Sequence, residues 1–303
     1  LSEARDLNAL DPTALTSPAF KRRAFVGLGA GAAAVASSLG TTLAQTPADF
    51  GKPHPPIVAL DDPSITAEHI ALARPDVALD AYAAWPKNLS SATPGIVMVQ
   101  HIWGVDSTIR DDVRRYAKAG YICIAANLYQ RSNAPSGDGT SDINLFRPAA
   151  SALTDDVVAG DLRAARNWIL TRAPQAKIGI TGFCMGGGIA IKQLIGTADY
   201  AAASIFYGDV RPGTPRDAPT TSDTFAYAAK ITTPIRGNYG ERDTSIAAAD
   251  VREFFGSLRP PHELSIYPEA GHAFFDDTRA SYVATAATDA WTKTLAWFRT
   301  YLS

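Results

Sequence analysis

The stretch from Gly179 to Gly188, GITGFCMGGG, constrains this chain more than any other. Apolar residues lead into it, glycines stand on both sides of Cys184, and a helix-compatible run follows from Met185. Gly-x-Cys-x-Gly between a strand and a helix predicts a sharp turn that lifts the cysteine above the sheet. The spacing has a steric cause, because Gly182 and Gly186 carry no Cβ where the backbone doubles back on itself. A helix starting at Met185 aims its free N–H groups and positive dipole end at the thiol, favouring a thiolate and an oxyanion. A buried structural cysteine is the plain alternative. A phosphate-cradling loop fits poorly, since the turn lacks the lysine of a P-loop.

Around this turn, strands alternate with helices. Residues 77–85, 95–100, 121–126, 177–181, 202–207, 234–239 and 264–267 read as strands, several of them continuous apolar runs of the kind buried on both faces. Helices are expected from Ser107 as cap through Lys118, stopped by Gly120, and over 155–172, 185–194, 245–258 and 278–301. The loops 130–150 and 208–230 are rich in polar residues, Gly and Pro, and the second reads as an extended loop or lid. The alternation implies one α/β domain over 61–303, with a mostly parallel sheet and helices on both faces.

The N-terminus reads as an address. Lys21, Arg22 and Arg23 precede a Gly/Ala-rich apolar run over 24–40, and Thr42, Leu43 and Ala44 offer small residues near a cleavage point. The paired arginines followed by Ala24 and Phe25 resemble a twin-arginine signal, with Lys21 where Ser or Thr is usual. Residues 1–45 are therefore expected to be an N-terminal extension and export signal, and the Pro-rich stretch 46–60 a linker that wraps or trails. The competing reading is a short membrane anchor. The expected protein is periplasmic, meets the export machinery, and is not stably inserted in a membrane after cleavage.

Charged residues make up 19% of the chain and the net charge is −2, so no field of one sign points to nucleic acid. The two cysteines, Cys123 and Cys184, form no zinc-type cluster. Cys123 falls in a core strand, and a disulfide between the two would silence the thiol.

A cysteine nucleophile needs a base, and the base an orienting acid. Of the five histidines, His54, His69 and His262 sit in unpromising places. His272, in a loop before the last helix, follows the nucleophile and acid in the chain order of an α/β-hydrolase. Asp243 is the better acid, with Glu241 as fallback.

These residues resemble the dienelactone hydrolase family. The elbow Gly182-Phe183-Cys184-Met185-Gly186-Gly187 is similar to its G-Y-C-L-G-G, Val99 to Val105 looks like its first-strand motif, and Asn127 to Arg131 like its D-L-Y-x-R. The resemblance spans roughly residues 75–300. It implies a Cys184–His272–Asp243 triad on an α/β-hydrolase fold and an oxyanion hole from the backbone N–H groups of Ile102 and Met185. Ester or lactone hydrolysis through a thioester would follow, without metal or organic cofactor. His101 stands at the family's glutamate, where it could pair with a Cys184 thiolate or donate a hydrogen bond to substrate. Arg131 matches one carboxylate-binding arginine, Asp276 replaces the other, and Ala273 replaces a serine, which shifts the expected substrate to a less acidic ester or lactone. Trp103, Phe274 and Phe275 are candidate pocket walls. A non-catalytic binding protein on the same scaffold and a thiol-dependent acyltransferase are the rival functions.

Overall fold

The computed structural model of the protein describes residues 50–211, 220, 221 and 223–303. The expected signal peptide and much of the 208–230 loop lie outside them.

Eight strands form one sheet in the order β1-β2-β4-β3-β5-β6-β7-β8. The central strands β3 (Gly95–Val99), β4 (Ile122–Ala126), β5 (Ile178–Phe183), β6 (Ala202–Phe206) and β7 (Ile235–Gly240) are fully buried, and β8 (His262–Tyr267) closes the far edge. From β4 to β8 all pairings are parallel; β1 (Ile65–Ala73) and β2 (Ala78–Pro86) add an antiparallel edge. Continuous apolar runs suit strands covered on both sides. In β3, Val97 and Val99 face the core of α3 (Asp155–Arg172) and α5 (Ala248–Gly256), while Ile96 and Met98 face that of α1 (Ser107–Lys118) and α6 (Ala284–Leu302). Among the described residues, no helix is long and apolar enough to cross a membrane.

Three local features differ from the sequence reading. Strand β1, ITAEHIALA, went unread because an exposed edge strand shows no clean alternation. Helix α1 is capped by Asp106 rather than Ser107, its carboxylate accepting from the Ile109 N–H at 3.1 Å. Helix α6 starts at Ala284, later than expected, because Asp276 first orders a turn through the Thr278 N–H and the Arg279 side chain.

Residues 50–60 do not trail; they strap across the domain. Val58 is buried, and the Ile57 and Val58 N–H groups donate to the Asp111 carboxylate at 3.0 and 2.9 Å. Arg114 returns a bond to the Val58 carbonyl at 2.7 Å. His54 lies 3.2 Å from the Asp277 carboxylate, which also takes Arg115 at 2.6 Å. Strap, α1 and the loop before α6 thus share one buried charge network.

Candidate active site

The elbow follows from its glycines. A Cβ on Gly182 would lie 2.2 Å from the Gly186 carbonyl oxygen, and one on Gly186 would lie 2.3 Å from that of Val99. Only glycine permits this close crossing of β5, β3 and α4 (Met185–Leu194). Cys184 sits at φ 54°, ψ −119°, a conformation that L residues rarely adopt. Strain of this kind persists only where surrounding packing enforces it. Here Phe183 stacks against Phe206 and Phe275 beneath the turn, with ring centroids 4.8 and 5.6 Å away.

Strand ends bring the partners in. Asp243 follows β7 and His272 follows β8; the Arg242 N–H donates to the Ala270 carbonyl at 2.9 Å and ties the two loops. His272 Nε2 lies 3.0 Å from Cys184 Sγ, and its Nδ1 lies 2.7 Å from Asp243 Oδ2. The other Asp243 oxygen accepts the Ser245 and Ile246 N–H groups at 2.7 and 3.1 Å, so the carboxylate is fixed before it meets the ring. Tyr207, itself at φ 37°, packs its ring 5.2 Å from the imidazole and sets its plane. Glu241 instead pairs with Arg252 at the surface.

The electrostatics favour an ion pair. Burial disfavours the Cys184 thiolate, but the His272 hydrogen bond and charge, the Met185 N–H and the His101 charge together pull the thiol below its usual value. Burial likewise opposes the His272 cation, yet Asp243 and the sulfur raise the ring to about 10. A thiolate facing an imidazolium can attack a carbonyl and then supply the proton for a leaving group.

Met185 opens α4 with its backbone N–H toward the Cys184 sulfur, and Ile102 lies in the turn that follows β3. As the first residue of α4, Met185 has a backbone N–H without a helical acceptor. Tyr129 binds the two segments together, its hydroxyl donating to the Ile102 carbonyl at 3.0 Å and lying 3.4 Å from Met185 Sδ. Sequence reasoning gave Tyr129 no role, and the D-L-Y-x-R-like stretch was the available signal.

His101 is buried, with Nε2 2.9 Å from Asp106 Oδ1 and its ring 5.0 Å from that of Trp103. Trp103 is half-buried, and the Arg279 guanidinium carbon lies 3.5 Å over its ring. Three expectations need correction. Arg131 does not present a free guanidinium to substrate: Asp161 holds it at 2.7 Å and Asp76 grips its other edge, anchoring the loop to α3 and the β1–β2 turn. Phe274 is not a pocket wall but a fully buried prop, its ring packed on Tyr207 and Tyr267. Phe275 is likewise buried, under the elbow. Cys123 lies buried in β4, and both cysteines are free thiols.

A profile of the dienelactone hydrolase family matches residues 79–302 of this chain, a span that includes the elbow and both loops. The chain belongs to the dienelactone hydrolase family. An Escherichia coli K12 protein named for carboxymethylenebutenolidase activity is 32% identical over 275 residues, covering 89% of this chain and 95% of its own. A Yersinia pestis protein named likewise is 36% identical over 234 residues, covering 73% and 83%. The crystal structure of a Klebsiella pneumoniae protein named as a dienelactone hydrolase superposes with a TM-score of 0.70 at 34% identity, covering 78% of this chain and 99% of that one. Within the dienelactone hydrolase family, this member carries His101 and Asp106 beside its elbow and seats Arg131 between two carboxylates.

Proposed function

We propose that this protein hydrolyses a carboxylic ester or lactone through Cys184, with His272 as acid and base and Asp243 as its orienting carboxylate. The observation that carries the proposal is the unbroken line from Asp243 Oδ2 through the His272 ring to Cys184 Sγ, with contacts of 2.7 and 3.0 Å.

The thiolate sulfur bonds to the carbonyl carbon, and the carbonyl oxygen takes up the negative charge between the Ile102 and Met185 N–H groups. As the tetrahedral species collapses, the C–O bond breaks and His272 gives its proton to the leaving oxygen. A water molecule then loses a proton to His272 and attacks the thioester carbon. The acid leaves and Cys184 returns to its thiolate. With Arg131 committed to Asp76 and Asp161, and Asp276 in the loop after His272, a neutral or weakly acidic substrate fits better than a strongly anionic one.

The test is intact-protein mass spectrometry of mature protein mixed briefly with a p-nitrophenyl ester, beside Cys184→Ala. An acyl adduct and nitrophenol release from the wild type alone support the reading. Neither signal, with free thiols verified, would leave a binding protein on a hydrolase scaffold. Transfer of the acyl group to added alcohol or amine would make it an acyltransferase.

The same reading includes export. Arg22, Arg23 and the apolar run behind them support delivery of folded protein to the periplasm by the twin-arginine route, with removal of the leader. Fractionation of cells expressing the full chain should find the protein in the periplasm, and in the cytoplasm once Arg22→Lys and Arg23→Lys are combined.

A further inference from the structure

The proposed reaction leaves one buried charged pair beside the nucleophile without a role. His101 extends β3 just past the point where Val99 pairs with Gly182, and Gly186 of the elbow packs against the Val99 and Gln100 carbonyls. His101 is 5% exposed, so it does not present itself to an incoming substrate. Its Nε2 is 2.9 Å from Asp106, whose carboxylate is itself fixed as the cap of α1. The charged groups around it are Asp106 from α1, Cys184 from the elbow, and Asp276 from the loop after β8. Beyond Asp106, at 3.9 Å, stands Arg279. From the end of β3, one residue past the Gln100 carbonyl on which Gly186 packs, imidazole, carboxylate and guanidinium follow one another outward.

We propose that His101, kept cationic by Asp106, is a positioning residue that holds Cys184 as a thiolate in the resting protein, so that the sulfur lies in the field of two imidazolium rings rather than one. This rests on Cys184 being the nucleophile. Burial opposes a charged His101, but the Asp106 charge and contact, with Asp276 and the thiolate, outweigh it and raise the ring above its usual value. Two sites then share the work that a triad assigns to one. His272 exchanges protons during the reaction, whereas His101, shielded and paired, keeps its charge throughout. The protein rests activated and needs no substrate to create the thiolate.

The experiment is alkylation of the full mature protein by iodoacetamide across pH, with intact mass identifying the modified cysteine. The Cys184 sulfur displaces iodide, so the rate follows the thiolate fraction; Cys123 is buried and stays silent on this timescale. Wild type is expected to react fast at about pH 6, well under the ordinary thiol range near ~8.5. His101→Gln should move the rate profile upward by about one unit, slowing the reaction by up to about tenfold on the acid limb of the profile, and leave the rate at about pH 10 unchanged. Asp106→Asn keeps the helix cap and should slow it in the same direction, which decides the matter if His101→Gln does not fold. His272→Gln should still react faster at about pH 6 than the His101→Gln, His272→Gln double variant. Folded His101→Gln and Asp106→Asn proteins with profiles superimposed on wild type would overturn the proposal while leaving the nucleophile intact. An ordinary thiol profile in wild type would overturn both readings at once.

Discussion

At the scale of single residues, the site is a problem of proton placement. Cys184 is held below its usual pKa and His272 is raised to about 10, so the two are expected to face each other as thiolate and imidazolium across an intermediate pH window. The sign follows directly. Activity rises as pH passes upward through the depressed cysteine value and falls as His272 loses the proton its leaving group needs. A kcat/KM profile on an activated ester is therefore expected to be bell-shaped, with the alkaline limb near about 10 and the acid limb below the ordinary thiol value; an acid limb at that ordinary value would contradict the ion pair. Tyr129→Phe removes the bond to the Ile102 carbonyl and, on the proposed mechanism, loosens the two N–H groups that would hold the oxyanion. It should lower kcat about tenfold with little change in KM, at about 1 kcal/mol of stability, read by steady-state kinetics and urea unfolding.

At the scale of elements, the elbow is the joint on which everything turns. Gly186→Ala drives a methyl group into the Val99 carbonyl, which belongs to a buried strand and cannot yield cheaply. The expected loss is at least about 3 kcal/mol by denaturant unfolding, whereas Gly256→Ala, which meets no neighbouring atom, should cost little. The elbow was legible because its constraint is local, with glycine spacing, strand and helix all lying in one stretch of sequence. His272 and Asp243 were legible because each follows a strand whose order in the sheet is fixed by topology. Other contacts were not. Arg131 matched a motif letter by letter, yet its charge is satisfied by Asp76 and Asp161, 55 and 30 residues away. The Asp106 cap displaced Ser107 because both are good caps one residue apart, and only the turn from His101 to Gly104 decides which carboxylate or hydroxyl reaches Ile109. Phe274 looked like a wall because a loop aromatic two residues after a candidate histidine can face either way.

At the scale of the whole molecule, the strap makes residues 50–60 part of the folded unit. Removing them strips partners from Asp111 and Asp277, both in a network buried with Arg114 and Arg115. Asp111 keeps Arg114 and Arg115, and Asp277 keeps Arg115, but each loses buried strap contacts, and a buried charged group stripped of hydrogen-bond partners costs more than a lost surface contact. A protein beginning at residue 61 should lose about 3–5 kcal/mol against one beginning at residue 50, measured by chemical denaturation; equal stability would mean the strap is passive packing. Nothing in the proline-rich sequence announced this role, because its acceptors lie 53 and 223 residues further along.

That long span sets an order of events. A pairing between His54 and Asp277 closes a loop of 223 residues, and contacts so distant form only after much of the intervening chain has found its place. The strap is therefore a late clasp: the first part of the fold to be synthesised waits for almost the last. Until the loop before α6 is complete, residues 50–60 belong to an unfinished protein, and once the clasp shuts they are locked into a finished one.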